Sequence, residues 1–469
     1  MGARSIAHSP EGARERLCRF FLGAYYPALI AVIIFLGYLF SIEVFTFLPV
    51  AGLAAVGAIL TGSARPFIIF ATAFLFQMSP EHSPGFQSGF SDYYFTEWRL
   101  PLVILSFGFV AAGVVTLIVK KRLYRGISFK KIPLLAPALG LSFAFLLNGA
   151  FSSCWSAADL GFGVCQVLIY LFLFLFFFLA LRGECAEELA KYFAYVSAVV
   201  ALLLLAEIAL PYIRLGGIPE KEQMLLGWGI WNTAGVSITV LIPMCFLGAV
   251  RSERLSWCYF AAAIAAFIGA VMTQSRNALL IGALVFAVCV LVCCFVGRYK
   301  KAYRVICVTG AVCVLLGAIF FGGRLSELLS SFFADNGRYT LWQIGIDNFL
   351  KAPLFGVGFY SFVSDTFTST TFLPDMAHCT PIEILSAMGA FGIAAYLVYR
   401  VFSLMPLLRR PDMTKLMLAL SIIVMLLGGL LDNFVFYFLP ALHYSVALAI
   451  LQLCENDDAK ESAKPSGKE

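Results

Sequence analysis

The sequence predicts an all-α polytopic membrane protein of about fourteen transmembrane helices. Three observations carry that prediction: the composition, the spacing of the apolar runs, and the side of the membrane on which the basic residues fall. Of 469 residues, 61% are hydrophobic and 13% charged, at a mean hydropathy of +0.90. An ordinary soluble domain has roughly 45–50% and about 25%. The chain has too few charged residues to clothe a core of that size in water, so the soluble classes are excluded.

A helix needs about 20 apolar residues to cross the hydrocarbon. Fourteen runs bounded by charged or turn residues meet or approach that length, near residues 21–40, 44–61, 66–78, 101–119, 132–150, 160–181, 192–212, 233–250, 257–272, 278–295, 303–321, 381–399, 416–431 and 435–453. The first follows Arg14, Arg16 and Arg19 as a signal peptide would, but it is long and no small-residue cleavage site follows, so it reads as a retained span. The third is short and fits a re-entrant segment as well as a span. Most of the 13 cysteines, among them Cys289, Cys293, Cys294, Cys307 and Cys313, sit inside apolar runs as small hydrophobes. Only Cys154 and Cys379 fall on the outer side, where a bridge between them is the one pairing on offer.

Charge tests the topology independently, because short cytoplasmic loops collect Lys and Arg. With the N-terminus inside, 26 of the 33 basic residues fall on cytoplasmic segments, including the run Lys120–Lys131, the run Arg298–Arg304 and the stretch from Arg400 to Lys415. Both termini are then cytoplasmic, and the net charge of +6 reads as orientation rather than as a nucleic-acid surface. The resulting organisation is a cytoplasmic segment at 1–20, transmembrane helices 1–11 over 21–321, a large extracytoplasmic loop at 322–380, transmembrane helices 12–14 over 381–453, and a disordered polar tail at 454–469.

Two outer connections are long, and long loops in compact proteins are usually functional. One runs from Ser79 to Leu100 and is rich in aromatic and turn residues; the other is the 322–380 loop. Within the second, with Asp335 or Asn336 as N-cap, a turn of about 100° per residue gathers Tyr339, Trp342, Ile346, Phe349 and Leu350 on one side of an amphipathic helix that stops at Pro353. Gly356 and Gly358 in PLFGVGF read as a tight turn returning the chain to the membrane. They do not read as a phosphate loop, since no strand precedes them.

Seven basic residues remain outside: Arg99, Arg214, Lys221, Arg276, Arg324, Arg338 and Lys351. Arg276 in TQSRNALL stands where two spans meet almost without a loop. An arginine at that depth is by default functional, with snorkelling or helix capping as the plain structural alternative. Arg338 opens the amphipathic helix four residues before Trp342, a spacing that also suits a surface cation–π pair. His378 in DMAHCTPIEIL precedes a span whose first turns carry Glu383, and an imidazole is the natural general base near neutral pH. Asp432 and Asn433 in LLDNF, at the outer end of the thirteenth span, fit acceptor contacts or helix capping. No second His or Cys stands at metal-ligand spacing except Cys379, which a helix would point elsewhere.

TQSRNALL, GRYTLWQIGIDNFLKAPLFGVGFYSF and AHCTPIEILSAMGAFGIAAYLV, in that order and on the outer side, resemble the successive motifs of the O-antigen ligase and polymerase superfamily. GWGIWNTAGVSITVLIPM also has the family look, so the resemblance covers roughly residues 227–397. It implies a GT-C-like, metal-independent, inverting glycosyltransferase of the bacterial plasma membrane, needing no cofactor. Its donor would be a polyprenyl-diphosphate-linked glycan and its acceptor a glycan or lipid-glycan. Arg276 and Arg338 match arginines that hold the diphosphate, His378 matches the base, and Glu383, Trp342 and Asp432 are the further substrate-binding candidates. The usual Asn after the His is replaced here by Cys379. Fourteen spans favour a polymerase over a ligase. The competing class is a transporter or flippase for lipid-linked oligosaccharide or a small anion, against which no paired broken spans are found in the two halves.

The charge distribution predicts that alkaline phosphatase fused after Glu469 stays inactive, while the same reporter inserted beside Gly322 is active. An active C-terminal fusion would displace the topology by one span.

Overall fold

The computed structural model describes residues 10–74, 77, 98–129, 132–220, 231–312, 315–316, 337–361 and 376–462. The described residues are helical, joined by short turns, with no β-strand beyond one isolated bridge between Arg182 and Glu184. The helices are α1 (Pro10–Leu22), α2 (Tyr25–Phe40), α3 (Glu43–Thr61), α4 (Arg65–Ala73), α5 (Arg99–Lys120), α6 (Leu135–Leu146), α7 (Ala157–Leu181, with a π-helical turn at Leu168–Leu173), α8 (Ala186–Leu215), α9 (Trp231–Arg251, broken near Val240), α10 (Ser256–Met272) and α11 (Arg276–Cys293). After a further helical stretch at 300–312 come α12 (Arg338–Lys351), α13 (Thr380–Arg409), α14 (Met413–Leu431) and α15 (Phe438–Ser462).

Among the described residues eight helices (α3, α5, α7, α8, α9, α11, α13 and α14) are long and apolar enough to cross a membrane, or nine if α1 and α2, bent by 64°, count as one. The chain is thus a polytopic helical membrane protein. α9 runs through the centre, with 89% of its apolar window buried, whereas α5 is peripheral at 22% and turns Ile104, Phe107, Val115 and Val119 outward to lipid. The helix ends follow from sequence. Ser156 and Asp159 form a reciprocal capping box on α7, Asp412 accepts the backbone N–H groups of Thr414 and Lys415 at 2.7 and 3.0 Å, and Gly216 closes α8 with φ +63°.

The feature that holds one half of the bundle together is a break in α13. Gly389 adopts φ 65°, ψ −161°, which interrupts the helix and would orphan the carbonyls of Ser386 and Ala387 and the N–H groups of Ala390 and Phe391. The segment after α12 supplies all four partners. Val357 and Gly358 donate to the Ser386 and Ala387 carbonyls at 2.9 and 3.1 Å, and Ala390 and Phe391 donate to the Pro353 and Leu354 carbonyls at 2.8 and 3.1 Å. Non-helical backbone at membrane depth persists only where such groups are satisfied inside the protein. The fit admits no side chain: a Cβ at Gly389 would lie 2.5 Å from the Leu354 carbonyl carbon, and one at Gly356 2.2 Å from that of Ala387. The glycines expected to form a simple turn therefore interlock two stretches of backbone. Asp159 extends the joint by accepting the Tyr360 N–H at 2.8 Å, and Gly149 donates to the Phe355 carbonyl at 3.0 Å.

Three expectations need correcting. The apolar side read for α12 is not its buried side: Leu341, Gly345 and Asn348 face the bundle, while Tyr339, Ile346 and Leu350 are exposed. The buried side is set by close approach to α13, where Gly345 lets α12 close on Ile382. Asp335 and Asn336 lie outside the described residues, and the residue at the N-cap is Gly337 with φ +82°. Arg400, grouped by sequence with the cytoplasmic loop charges, is buried in α13. Its guanidinium lies 4.6–5.5 Å from the ring centres of Tyr396, Tyr444, Tyr399 and Tyr170, and it donates to the Tyr444 and Tyr170 hydroxyls at 2.6 and 3.3 Å. The ring faces and hydroxyls replace water around the cation. In addition, α15 continues to Ser462, past the start of the expected polar tail, and Glu455 pairs with Arg409.

Gly389→Ala and Gly62→Ala make a matched test, since both glycines have φ +65° but Gly62 has open space around its Cβ position. The Gly62 variant should lose about 1–2 kcal/mol. Gly389 at ψ −161° lies in a region open essentially to glycine alone, whereas Gly62 at ψ 23° lies in the ordinary left-handed well, so the Gly389 variant carries the larger backbone strain and also prises apart the joint; its thermal midpoint in detergent should fall much further.

Candidate functional site

His378 occupies the residue pair between the end of the large loop and the first turn of α13, in the left-handed conformation with φ 49°. Its ring is about one-third exposed (32%), while the carboxylate of Asp432, at the C-cap of α14, is almost wholly enclosed. The two meet at 3.0 Å between Nδ1 and Oδ1. A carboxylate only accepts, so Nδ1–H of His378 donates in this bond. Asp432 Oδ1 also accepts the Asn433 N–H at 2.8 Å, and its main-chain carbonyl accepts from the Thr380 hydroxyl at 3.3 Å. These bonds tie the C-terminal end of α14 to the start of α13.

From Asp432 the polar line continues. Asn232 at the start of α9 donates from Nδ2 to Asp432 Oδ2 at 3.3 Å, and the Ser275 hydroxyl donates to Asn232 Oδ1 at 2.9 Å. Ser275 is the N-cap of α11, accepting the Ala278 N–H, and the next residue is Arg276. Asn277 anchors the same turn by donating to the Gly428 carbonyl of α14 at 3.2 Å. Four segments far apart in sequence thus converge, and Arg276, half-buried, stands one residue from the end of a line that begins at the imidazole.

Arg338, the first residue of α12, is half-buried as well. α12 reaches His378 through Leu341, which packs on Ala377 with Trp342, Ile344 and Ile382 around the pair. Arg338 lies within electrostatic range of Cys379, whose thiol is raised above its ordinary pKa first of all by burial, with a hydrogen bond from Ile382 and the Arg338 charge pulling the other way. A neutral thiol at pH 7 is a poor nucleophile and metal ligand. Cys379 and Cys154 are both free, the first buried and the second exposed, so the bridge offered by the sequence is absent.

The other candidates divide. Glu383 is fully buried and accepts the Ala377 N–H at 2.7 Å, so it acts on the site by clamping the residue before His378. Trp342 lies half-buried in the patch that seats α12. Asp432, read from sequence as an acceptor contact or a cap, is the imidazole's partner. Asn232 and Ser275, which carry the connection to Arg276, were not among the sequence candidates as site residues. The signal for them lay in the GWGIWN and SRN segments, but pairing them needs the third dimension. Among the described residues no three His, Cys, Asp or Glu side chains are gathered as a metal-binding set.

Replacing Asn232 by Ala should cut the line between Asp432 and Ser275 while leaving the His378–Asp432 pair intact. A nuclear magnetic resonance signal from the His378 ring would then stay close to that of the wild type, whereas Asp432→Asn should shift it.

Residues 260–397 match the O-antigen ligase family. This stretch runs from α10 to the middle of α13 and contains Arg276, Arg338, His378 and Glu383. No curated protein sequence matches the chain.

Proposed function

From the match of residues 260–397 to the O-antigen ligase family, in a helical membrane protein, we propose that the chain is a glycosyltransferase that moves a polyprenyl-diphosphate-linked glycan onto a glycan or lipid-glycan acceptor at the outer face of a bacterial plasma membrane. The observation that carries this reading is the hydrogen bond from His378 Nδ1 to the buried Asp432 carboxylate. It fixes the ring beside the start of α13, on a hydrogen-bonded line that ends one residue from Arg276.

In the proposed reaction, Nε2 of His378 takes the proton of the acceptor hydroxyl as the oxygen attacks the donor's anomeric carbon. The bond from that carbon to the lipid diphosphate breaks, and the diphosphate departs with the bonding electrons. A sugar hydroxyl is too weak an acid to attack unaided, so a positioned base contributes typically 10²–10⁴-fold. Asp432 orients the ring and stabilises the imidazolium that forms. Arg276 and Arg338 neutralise the charge growing on the leaving diphosphate, a task for which the planar, always-charged guanidinium fork is suited without a metal ion. Displacement from the face opposite the leaving group inverts the anomeric centre. The topology belonging to this reading has fourteen spans, cytoplasmic termini and a GT-C-like arrangement, and its span count favours a polymerase.

His378→Ala should abolish glycan transfer at unchanged protein level and donor supply; full retained transfer would sink the assignment. Asp432→Asn should slow transfer by roughly 10²-fold or more. Arg276→Ala and Arg338→Ala should weaken donor use, with Lys at either position a poor rescue because the bidentate fork is lost. The glycan ladder separates the two acceptor classes: loss of a polymerase leaves single repeats, and loss of a ligase leaves long chains on the carrier lipid. Passage of lipid-linked glycan across proteoliposomes without a new glycosidic bond would favour the transporter instead.

A further inference from the structure

The line from His378 occupies one end of the bundle, and α7 leads to the other. Asp159 near the start of α7 is bonded to Tyr360, and Leu181 at its end lies 22 residues later, about 33 Å away at 1.5 Å per residue. There a cavity of about 260 Å³ is lined by Lys121, Arg122, Leu123, Leu179 and Arg182. Three of its five lining residues are cationic and the other two are aliphatic.

The cavity is shaped by the turn that follows α5. Arg122 takes the left-handed conformation with φ 51°, sending the chain into a 3-10 turn at Leu123–Gly126 that packs on the last turns of α7. Lys121 spans the gap, donating from Nζ to the Ala180 carbonyl at 2.6 Å. Glu184 lies within electrostatic range of Lys121 and also accepts from Arg65 at 2.5 Å and from the Ser63 hydroxyl at 2.6 Å, so its single charge is shared among several groups. The sequence on either side of the lining residues is apolar and outward-facing: Val115 and Val119 on α5 and Tyr124, Ile127 and Phe129 after it are all exposed, as suits residues at the boundary between head groups and acyl chains.

We propose that this cavity binds the phosphodiester head group of an anionic phospholipid. Arg122 and Arg182 supply forks matched to phosphate oxygens and Lys121 a point charge, while the acyl chains lie along Val115 and Val119. Basic pockets between transmembrane helices at the membrane surface are suited to such head groups. An inorganic phosphate offers the same charge but nothing for the apolar flanks to hold, and a zwitterionic lipid offers the flanks its chains while its own cation opposes the arginines.

Native mass spectrometry of the purified full-length protein separates these sources. After exchange into phosphatidylcholine, phosphatidylglycerol or inorganic phosphate, the wild type should retain one phosphatidylglycerol under conditions that strip phosphatidylcholine and phosphate. Arg122→Gln with Arg182→Gln should lose that lipid, and Arg122→Lys with Arg182→Lys should keep it in part. Equal retention of phosphatidylcholine, uptake of inorganic phosphate in place of the lipid, or a double Gln variant that still holds phosphatidylglycerol would each overturn the proposal. The comparison of lipids on the wild type needs no variant to fold, and the readout does not depend on glycan transfer.

Discussion

In hydrocarbon there is no water to take up a stray backbone N–H or carbonyl, and one half of this protein is organised around meeting that constraint at one place. α13 breaks at Gly389, and the chain from Pro353 to Gly358 takes over the four hydrogen bonds that the break releases. The joint positions the elements that matter. It anchors the C-terminal end of α12, so that Leu341 meets Ala377. It also joins α13, which His378 precedes, to α7 through Asp159 and Tyr360. The four bonds across the break are all between backbone atoms, which makes their geometry insensitive to rotamer choice.

On that frame the scarce polar groups of this end are strung together instead of scattered. His378, Asp432, Asn232 and Ser275 form one hydrogen-bonded line through three helix ends and the segment preceding a fourth. Burying such groups is costly unless each finds a partner, and a satisfied line rigidifies what it connects. Asp432 meets the condition fully, accepting from a ring N–H, a backbone N–H and a side-chain amide. The result is an imidazole held by a buried carboxylate, on the same platform as the turn that carries Arg276.

The opposite end spends its charges differently. Arg65 and Glu184 pair, Arg251 reaches Glu187 at 3.4 Å, and Lys121, Arg122 and Arg182 face a cavity at the bundle surface. Arg400 is neither a loop charge nor part of the His378 line, and four tyrosines keep it inside the helical bundle. Away from the His378 line, then, these cations pair with carboxylates, pack on aromatic rings or line a cavity.

The sequence alone determined that the chain is a helical membrane protein, where its helices run, that an amphipathic helix stops before Pro353, and that His378, Arg276, Arg338 and Asp432 merit attention. These are local properties: apolar run length, turn residues, charge, and short motifs. Tertiary structure alone decided the rest. It turned Leu341, Gly345 and Asn348 of α12 inward in place of Tyr339 and Leu350, because the close approach of α12 to Ile382 requires Gly345 at the contact, a requirement that apolar periodicity does not register. It moved Glu383 from a substrate candidate to a clamp on Ala377, and it paired Asp432 with His378 and Asn232. It revealed that Gly356 and Gly389 serve one joint. A hydrogen bond between distant backbone or side-chain groups leaves no periodic trace in the chain, so those pairings exist only once the helices are packed.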